Sequence, residues 1–326
     1  MIAYVTGGAG FLGSHLCDRL VADGHTVVAF DNFVTGARRN LSEALASGRC
    51  TLVEADVSEP LDAAIASLAA DLQVPQLIMH FASPASTLDY GRDPIGTLRV
   101  NAFGAAHLCS LARKTSARLF MASTSESYGD PLEHPQRETY WGNVNPVGMR
   151  SCYDEAKRFA EAYVTSAARE MGIDGRVVRI FNTYGPRMQP GDGRVIPNFC
   201  MSALRGEALT IYGDGSQTRS FCYVDDLIEG IVRFAMAPNL SGAVINIGNP
   251  GEFTIGELAR IVAEIVGVPL DFEERPLPPD DPTRRRPDIT VARERLGWEP
   301  HVDLRTGLER TVAYFRNFVE TAARVS

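Results

Sequence analysis

Residues 2–31 do most to limit what this chain can fold into. The stretch IAYVTGGAGFLGSHLCDRLVADGHTVVAFD runs from a short β-branched apolar segment through a glycine-rich turn and an amphipathic segment to a second apolar segment. That order reads as strand, turn, helix, strand. Gly7, Gly10 and Gly13 are spaced so that the backbone can approach a pyrophosphate lying against the N-terminus of the helix. The helix is expected from Phe11 to about Asp23, with Gly24 as its C-cap. The second strand ends in Asp31, where a carboxylate receives the hydroxyls of an adenosine ribose and repels a 2′-phosphate, so NAD is expected over NADP. Arg38 and Arg39 follow closely enough to work against that preference.

The alternation continues. TLVEADV reads as a third strand whose end, Asp56, faces the adenine edge. QLIMHFAS reads as a fourth, with Phe81 to Ser83 under the nicotinamide-side ribose and His80 as a buried structural histidine. A helix around Gly96 to Ala112, the strand RLFMASTS, a helix carrying Tyr153 and the strand GRVVRIFN follow. The expected fold class is therefore α/β: a Rossmann-type, doubly wound parallel sheet with a smaller C-terminal substrate-binding subdomain. Ligands of such sheets bind at the carboxyl ends of the strands, where Asp31, Asp56, Ser83, Thr124 and Asn182 all fall. The expected division is 1–182 for the cofactor, with segments of about 221–250 returning to it, and 183–326 mainly for the substrate. Gly-, Pro- and Arg-rich connections such as YGDGSQTRSFCYVDD and PLPPDDPTRRRPDI mark the second part, and their arginines suit a diphosphate. Arg284 and Arg286 read as a solvated turn. A terminal amphipathic helix is expected over 296–325.

Tyr153 and Lys157 stand four residues apart at the start of a helical run, and Thr124, Ser125 and Glu126 end a strand before them. A phenol titrates near pH ~10 in water and needs a nearby cation to act as a base at neutral pH. Spacing of i and i+4 brings the Lys157 ammonium to the same helix face. The pattern is that of a hydride-transfer site with a carboxylate beside it.

Composition sets the outer bounds. The 326 residues are 45% hydrophobic and carry a net charge of −8, so nucleic acid is not expected as a partner. The chain enters a strand at once, and no apolar run approaches the ~18 residues of a membrane span, so a cytoplasmic location without membrane association is expected. Cysteines 17, 50, 109, 152, 200 and 222 form no CxxC pair and are read as reduced, mostly buried thiols. No metal site is expected.

GGAGFLGSHL, DNFVTG, HFASPAS, STSESYGDPLEHPQ, YWGNVNPVGMRSCYDEAKR, RIFNTYGPRM, DGRVIPNF, YGDGSQTRSF, NIGNP and DDPTRRRPDI, in this order, resemble the UDP-glucuronic acid decarboxylases of the extended short-chain dehydrogenase/reductase superfamily. YWGNVNP with RSCYDE and the HPQ segment carry the decarboxylase likeness. Arg99 stands where a lysine is common, His107 where an asparagine is, and Ala156 where a glycine is. The resemblance implies Tyr153 and Lys157 as catalytic pair, Thr124, Ser125 and Glu126 at the sugar, and Arg219 at the reacting centre. Expected cofactor contacts are Gly7, Gly10, Phe11, Leu12, Gly13, Asp31, Asn32, Phe33, Thr35, Gly36, Asp56 and Val57, then Phe81, Ala82, Ser83, Tyr153, Lys157 and Thr183. Expected substrate contacts are Ser83, Arg99, Asn182, Arg194, Val195, Tyr212, Gln217, Arg219 and Arg285.

The implied chemistry starts with Tyr153 taking the 4-hydroxyl proton as hydride leaves for NAD⁺. The resulting 4-ketone is β to the hexuronate carboxylate, and such an acid loses carbon dioxide readily into an enolate that Tyr153 and Thr124 can hydrogen-bond. Arg219, Glu126 or a held water is then the proton carrier. Glu126 sets this reading apart from a 4-epimerase, and Ser125, in place of an acid, sets it apart from a 4,6-dehydratase. A catalytically silent NAD-bound regulatory protein is the alternative of another class. The superfamily also implies a homodimer through the helices carrying Tyr153 and Gly96–Ala112.

Overall fold

The computed structural model describes residues 1–276 and 284–325, the side chains beyond residue 321 excepted. Residues 277–283, part of the proline-rich stretch singled out above, lie outside the described residues. Six strands follow in chain order: β1 (Ile2–Thr6), β2 (Thr26–Asp31), β3 (Cys50–Glu54), β4 (Leu77–His80), β5 (Arg118–Thr124) and β6 (Gly175–Ile180). With the later strand Val244–Ile247 they form one seven-stranded sheet, ordered Val244–Ile247, β6, β5, β4, β1, β2, β3, all neighbours parallel. The order reverses between β1 and β4, which opens the crevice at their carboxyl ends that a doubly wound sheet uses for ligands.

Strand alternation explains why both faces are covered. In β1, Ala3 and Val5 pack into one apolar cluster and Tyr4 into another. The Tyr4 side meets Leu108 and Ala112 of helix Pro94–Thr115 and Ala160 and Val164 of helix Ser151–Met171. The opposite side meets α1 (Phe11–Ala22) through Leu16 and Leu20, and helix Val224–Met236 through Leu227 and Phe234. Strands buried on both faces read as the continuous apolar runs seen in the sequence.

The C-terminal part supplies helix Val195–Arg205 and three two-stranded pairs, among them Thr218–Ser220 with Glu252–Thr254. Helix Val224–Met236 and strand Val244–Ile247 return to the large sheet. The terminal helix expected over 296–325 begins only at Leu304 and runs to Val325, after a short helix, Thr290–Leu296, that ends where it was expected to start. Pro300 cannot continue a helix, and the connection is fastened to Asp226, whose carboxylate accepts from the His301 and Val302 amides at 3.0 and 2.8 Å.

Candidate active site

The cofactor end is built from backbone. Gly7 has φ +71°, and a Cβ there would lie 2.7 Å from the Ala82 backbone; a Cβ on Gly13 would overlap the Gly7 carbonyl. Only glycine lets turn, α1 and β4 come this close. Gly10 caps α1 without any side-chain hydrogen bond to its first turn, which leaves those amides to an anion. Asp31 is buried, and its carboxylate accepts from the Ala9 amide at 2.9 Å and the Phe33 amide at 2.8 Å. Burial raises its pKa, and these amides oppose the rise. Asn32 donates to Asp56 at 3.1 Å. Arg39 lies over the Phe318 ring, 6.0 Å from its centroid, so it is turned toward the C-terminal helix.

A cavity of about 1090 Å³ runs from this turn past Asp31 and Asp56 to Thr124, Tyr153 and Lys157, and on to Tyr212, Arg219 and Arg285. That is more than one ordinary ligand fills. The glycine cradle, the unshielded amides of α1 and the Asp31 carboxylate fit the pyrophosphate and ribose of NAD.

At the chemical end, Thr124 Oγ1 accepts from the Glu126 amide at 3.2 Å. The Tyr153 ring is stacked on Tyr90, centroids 5.1 Å apart and planes 9° from parallel. Lys157 Nζ donates to the Ala122 carbonyl at 2.9 Å and lies 5.8 Å from the Tyr153 ring centroid. Burial pulls Lys157 down to about 7. Tyr153 is pushed up, first by burial and then by the Glu126 charge, while a hydrogen bond with Thr124 pulls the other way. His80 is fully buried, held down to about 3 by burial, with Nδ1 2.8 Å from Thr6 Oγ1, the structural histidine that was expected.

Glu126 is gripped from two sides, by ion pairs to Arg150 and to Arg285. Burial opposes its charge, but the two guanidiniums prevail and hold its carboxyl at about 2. The Arg285 side chain lines the cavity, and its Nε and Nη2 have no hydrogen-bond partner among the described residues. Asp154 joins the cluster from behind; burial and then the Glu126 charge raise it to about 7.

The sequence placed Arg219 at the reacting centre and Arg285 among general substrate contacts. In the structure Arg285 meets Glu126, and Arg219, on strand Thr218–Ser220, donates to the Thr218 carbonyl at 2.9 Å and lines the same cavity. Arg99 pairs with Glu59 at 3.1 Å, at the Asp56 end of the cavity. Arg286, expected to be solvated, faces Glu252 at 3.5 Å. Ser83 accepts from Asn101 at 2.9 Å. Val195 opens its helix, Arg194 lies 6.0 Å from the Phe11 centroid, and Gln217 donates to the Tyr212 carbonyl at 2.6 Å. Arg150 and Tyr90 were missed. Arg150 precedes Tyr153 by three residues and shares its helix face, a signal that was available; Tyr90 carried none.

The fold and site define a class, and the chain belongs to it: the profile of the NAD dependent epimerase/dehydratase family matches residues 3–248. A solved UDP-glucuronic acid 4-epimerase from Bacillus cereus, in complex with UDP-glucuronic acid and NAD, superposes with a TM-score of 0.86 at 27% identity, covering 98% of this chain and 100% of that one. Within that class the chain belongs to the UDP-glucuronic acid decarboxylases. It is 50% identical to UDP-glucuronic acid decarboxylase 1 of Arabidopsis thaliana over 96% of this chain and 69% of the relative. It is 49% identical to UDP-glucuronic acid decarboxylase 1 of Danio rerio over 98% and 73%.

Proposed function

We propose that this chain is an enzyme that converts UDP-glucuronate to UDP-xylose through a 4-keto intermediate, using NAD. The observation that supports the reading is Arg285: its buried guanidinium is anchored to Glu126 by one nitrogen, its other two nitrogens have no hydrogen-bond partner among the described residues, and the residue lines the same cavity as Tyr153. Such a fork suits a second carboxylate, that of a hexuronate.

Tyr153 takes the proton from the 4-hydroxyl, and Lys157 orients and charges its surroundings. NAD, held by the Gly7–Gly13 turn, the first amides of α1 and Asp31, would supply the acceptor for the C4 hydride and the donor for its later return. The ketone at C4 lets the C5–C6 bond break; its electron pair moves into a C4 enolate that Tyr153 and Thr124 hydrogen-bond, and carbon dioxide leaves. Guanidiniums do not give up their protons, and Glu126 is held ionised, so of the three candidate carriers a held water delivers the proton to C5 and is itself reprotonated from solvent, which supplies the one proton that decarboxylation consumes. No net redox change results.

Residues 1–182 with about 221–250 would hold the cofactor, and the remainder of 183–326 the nucleotide sugar. Ile95 and Phe103 on one helix and Phe159 on the next are large apolar side chains left exposed, which supports a homodimer through those helices. A monomer by light scattering at micromolar concentration would refute it. A cytoplasmic location belongs to the same proposal; no helix among the described residues is long and apolar enough to cross a membrane.

The test is incubation with UDP-glucuronate and NAD⁺, with the product identified by mass and NMR. Loss of carbon dioxide and a UDP-pentose are expected. A 4-epimerised hexuronate with its carboxylate retained would return the chain to the epimerases of the same fold.

A further inference from the structure

The HPQ segment, residues 134–136, lies outside the reaction described above, yet its contacts converge on it. Gln136 is fully buried. Its amide donates to the Arg286 carbonyl at 2.9 Å, and its carbonyl accepts from the Asp288 amide at 2.9 Å. Its side-chain Oε1 accepts from the Arg286 amide at 2.8 Å, while Nε2 donates to the Glu133 carbonyl at 2.7 Å. The backbone just after Arg285 is thus held by three hydrogen bonds to one residue.

The other side of the site is tied to the same point. Asn246, also fully buried, donates from Nδ2 to the carbonyls of Gln136 at 3.1 Å and Asp288 at 3.2 Å. Its Oδ1 accepts from the Tyr128 hydroxyl at 2.8 Å. Tyr128 closes the 3-10 turn Ser125–Tyr128 that carries Glu126, and its ring packs under the Arg179 guanidinium at 4.7 Å. Next along the segment, His134 Nε2 lies 3.0 Å from Glu252 Oε2, and Glu252 accepts from Thr218 at 2.9 Å, beside Arg219. Glu126 and Arg285 are 159 residues apart in sequence. An ion pair between long side chains does not by itself fix two backbones; this amide network does.

We propose that Gln136 is a positioning residue for decarboxylation: through Arg286 and Asp288 on one side, and Asn246 and Tyr128 on the other, it sets the Arg285 guanidinium against Glu126. The inference rests on the decarboxylase reading. A displacement of about 1 Å in such a site costs on the order of 10²-fold, so the strap matters to rate far more than to binding of the distant cofactor.

Gln136→Met keeps length and removes the amide. It is expected to lower kcat for carbon dioxide release by roughly 10- to 100-fold, with NAD affinity by calorimetry within about twofold of wild type. In an Arg285→Ala background the same change should cost less than about threefold, because residues acting as one unit are non-additive. Tyr128→Phe removes only the hydroxyl and keeps the ring; a loss of about three- to tenfold with the same background dependence is expected, and it decides the matter if the first variant does not fold. Wild-type kcat in Gln136→Met, an undiminished loss in the Arg285→Ala background, or NAD affinity falling as far as kcat would each overturn the proposal. Failure of the wild-type enzyme to release carbon dioxide would instead overturn the decarboxylase reading on which it stands.

Discussion

The two ends of the cavity are made differently. The cofactor end is mostly backbone from one continuous stretch: the Gly7–Gly13 turn, the start of α1, and Asp31, whose carboxylate is itself held by the Ala9 and Phe33 amides. The carboxylate end is side chains drawn from across the chain, with Glu126 from the turn after β5, Arg150 from the start of a helix and Arg285 from the C-terminal part. The first needs shape and is therefore local. The second needs opposed charges buried together, and a buried carboxylate survives only when its partners are in place. Changes at the first end should therefore move binding, and changes at the second should move rate.

The sharpest break between the ends is expected from Tyr153→Phe. It deletes the proton acceptor and almost no volume, so turnover should vanish while NAD still binds. Residual activity near wild type, measured as carbon dioxide release, would remove Tyr153 from the chemistry. Next come Glu126→Ala and Arg285→Ala, each expected to lower kcat by on the order of 10²-fold, the cost of misplacing the substrate carboxylate in such a site, with NAD affinity near normal. Glu126→Ala also leaves the buried Arg285 guanidinium without its ion-pair partner, whereas Arg285→Ala leaves Glu126 paired with Arg150, so thermal stability should fall more in the first variant than in the second. Arg219→Ala should instead act chiefly on KM, because Arg219 lies along the cavity on strand Thr218–Ser220. Unchanged steady-state kinetics in Glu126→Ala would make that residue a structural carboxylate.

At the other end, Asp31→Ala should weaken NAD by roughly 10- to 100-fold, the worth of a charge-assisted hydrogen bond, and NADP by much less. Calorimetry with both nucleotides decides it. Equal losses would mean that the ribose is held elsewhere.

The same division decided what could be read from the sequence. Periodicity and the glycine turn are short-range signals, so the parallel sheet, α1 and the Asp31 position were legible within single windows of the chain; α1 is capped by Asp23, with Gly24 following at φ +86°. Tyr153 with Lys157 was legible for the same reason: four residues on one helix face. The helix break at Pro300 was a local signal overlooked, and its fastening to Asp226 was not visible from sequence at all. Arg285 could be named from its stretch of sequence but not placed, because three adjacent arginines look alike until the fold turns one toward Glu126 and another toward Glu252. Tyr90 had no signal, since its role comes from stacking on Tyr153 after the short helix Thr87–Arg92 folds. Gln136 was noticed only as part of a family string; its partners at 286 and 288 lie far along the chain.

The smallest expected effect concerns stability and probes the carboxylate end alone. Asp154 is raised from its ordinary range to about 7, by burial first and the Glu126 charge second. A carboxyl that ionises later in the folded than in the unfolded chain makes the folded chain bind more protons between about pH 4 and 7. Stability is therefore lost as pH rises through that window, and the deficit is complete above it. Glu126 has the opposite sign: held at about 2, it contributes stability above about pH 4.5 that disappears as pH falls toward 2. Asp154→Asn removes the first effect and leaves the second. Its Tm should match wild type near pH 4 and exceed it by roughly 2 °C or more at pH 8. Equal midpoints at pH 8, or the same gain at both pH values, would show that Asp154 carries no uncompensated charge beside Glu126. The acid limb below pH 4 should be unchanged in this variant and flattened in Glu126→Gln, which separates the two carboxyls within one cluster.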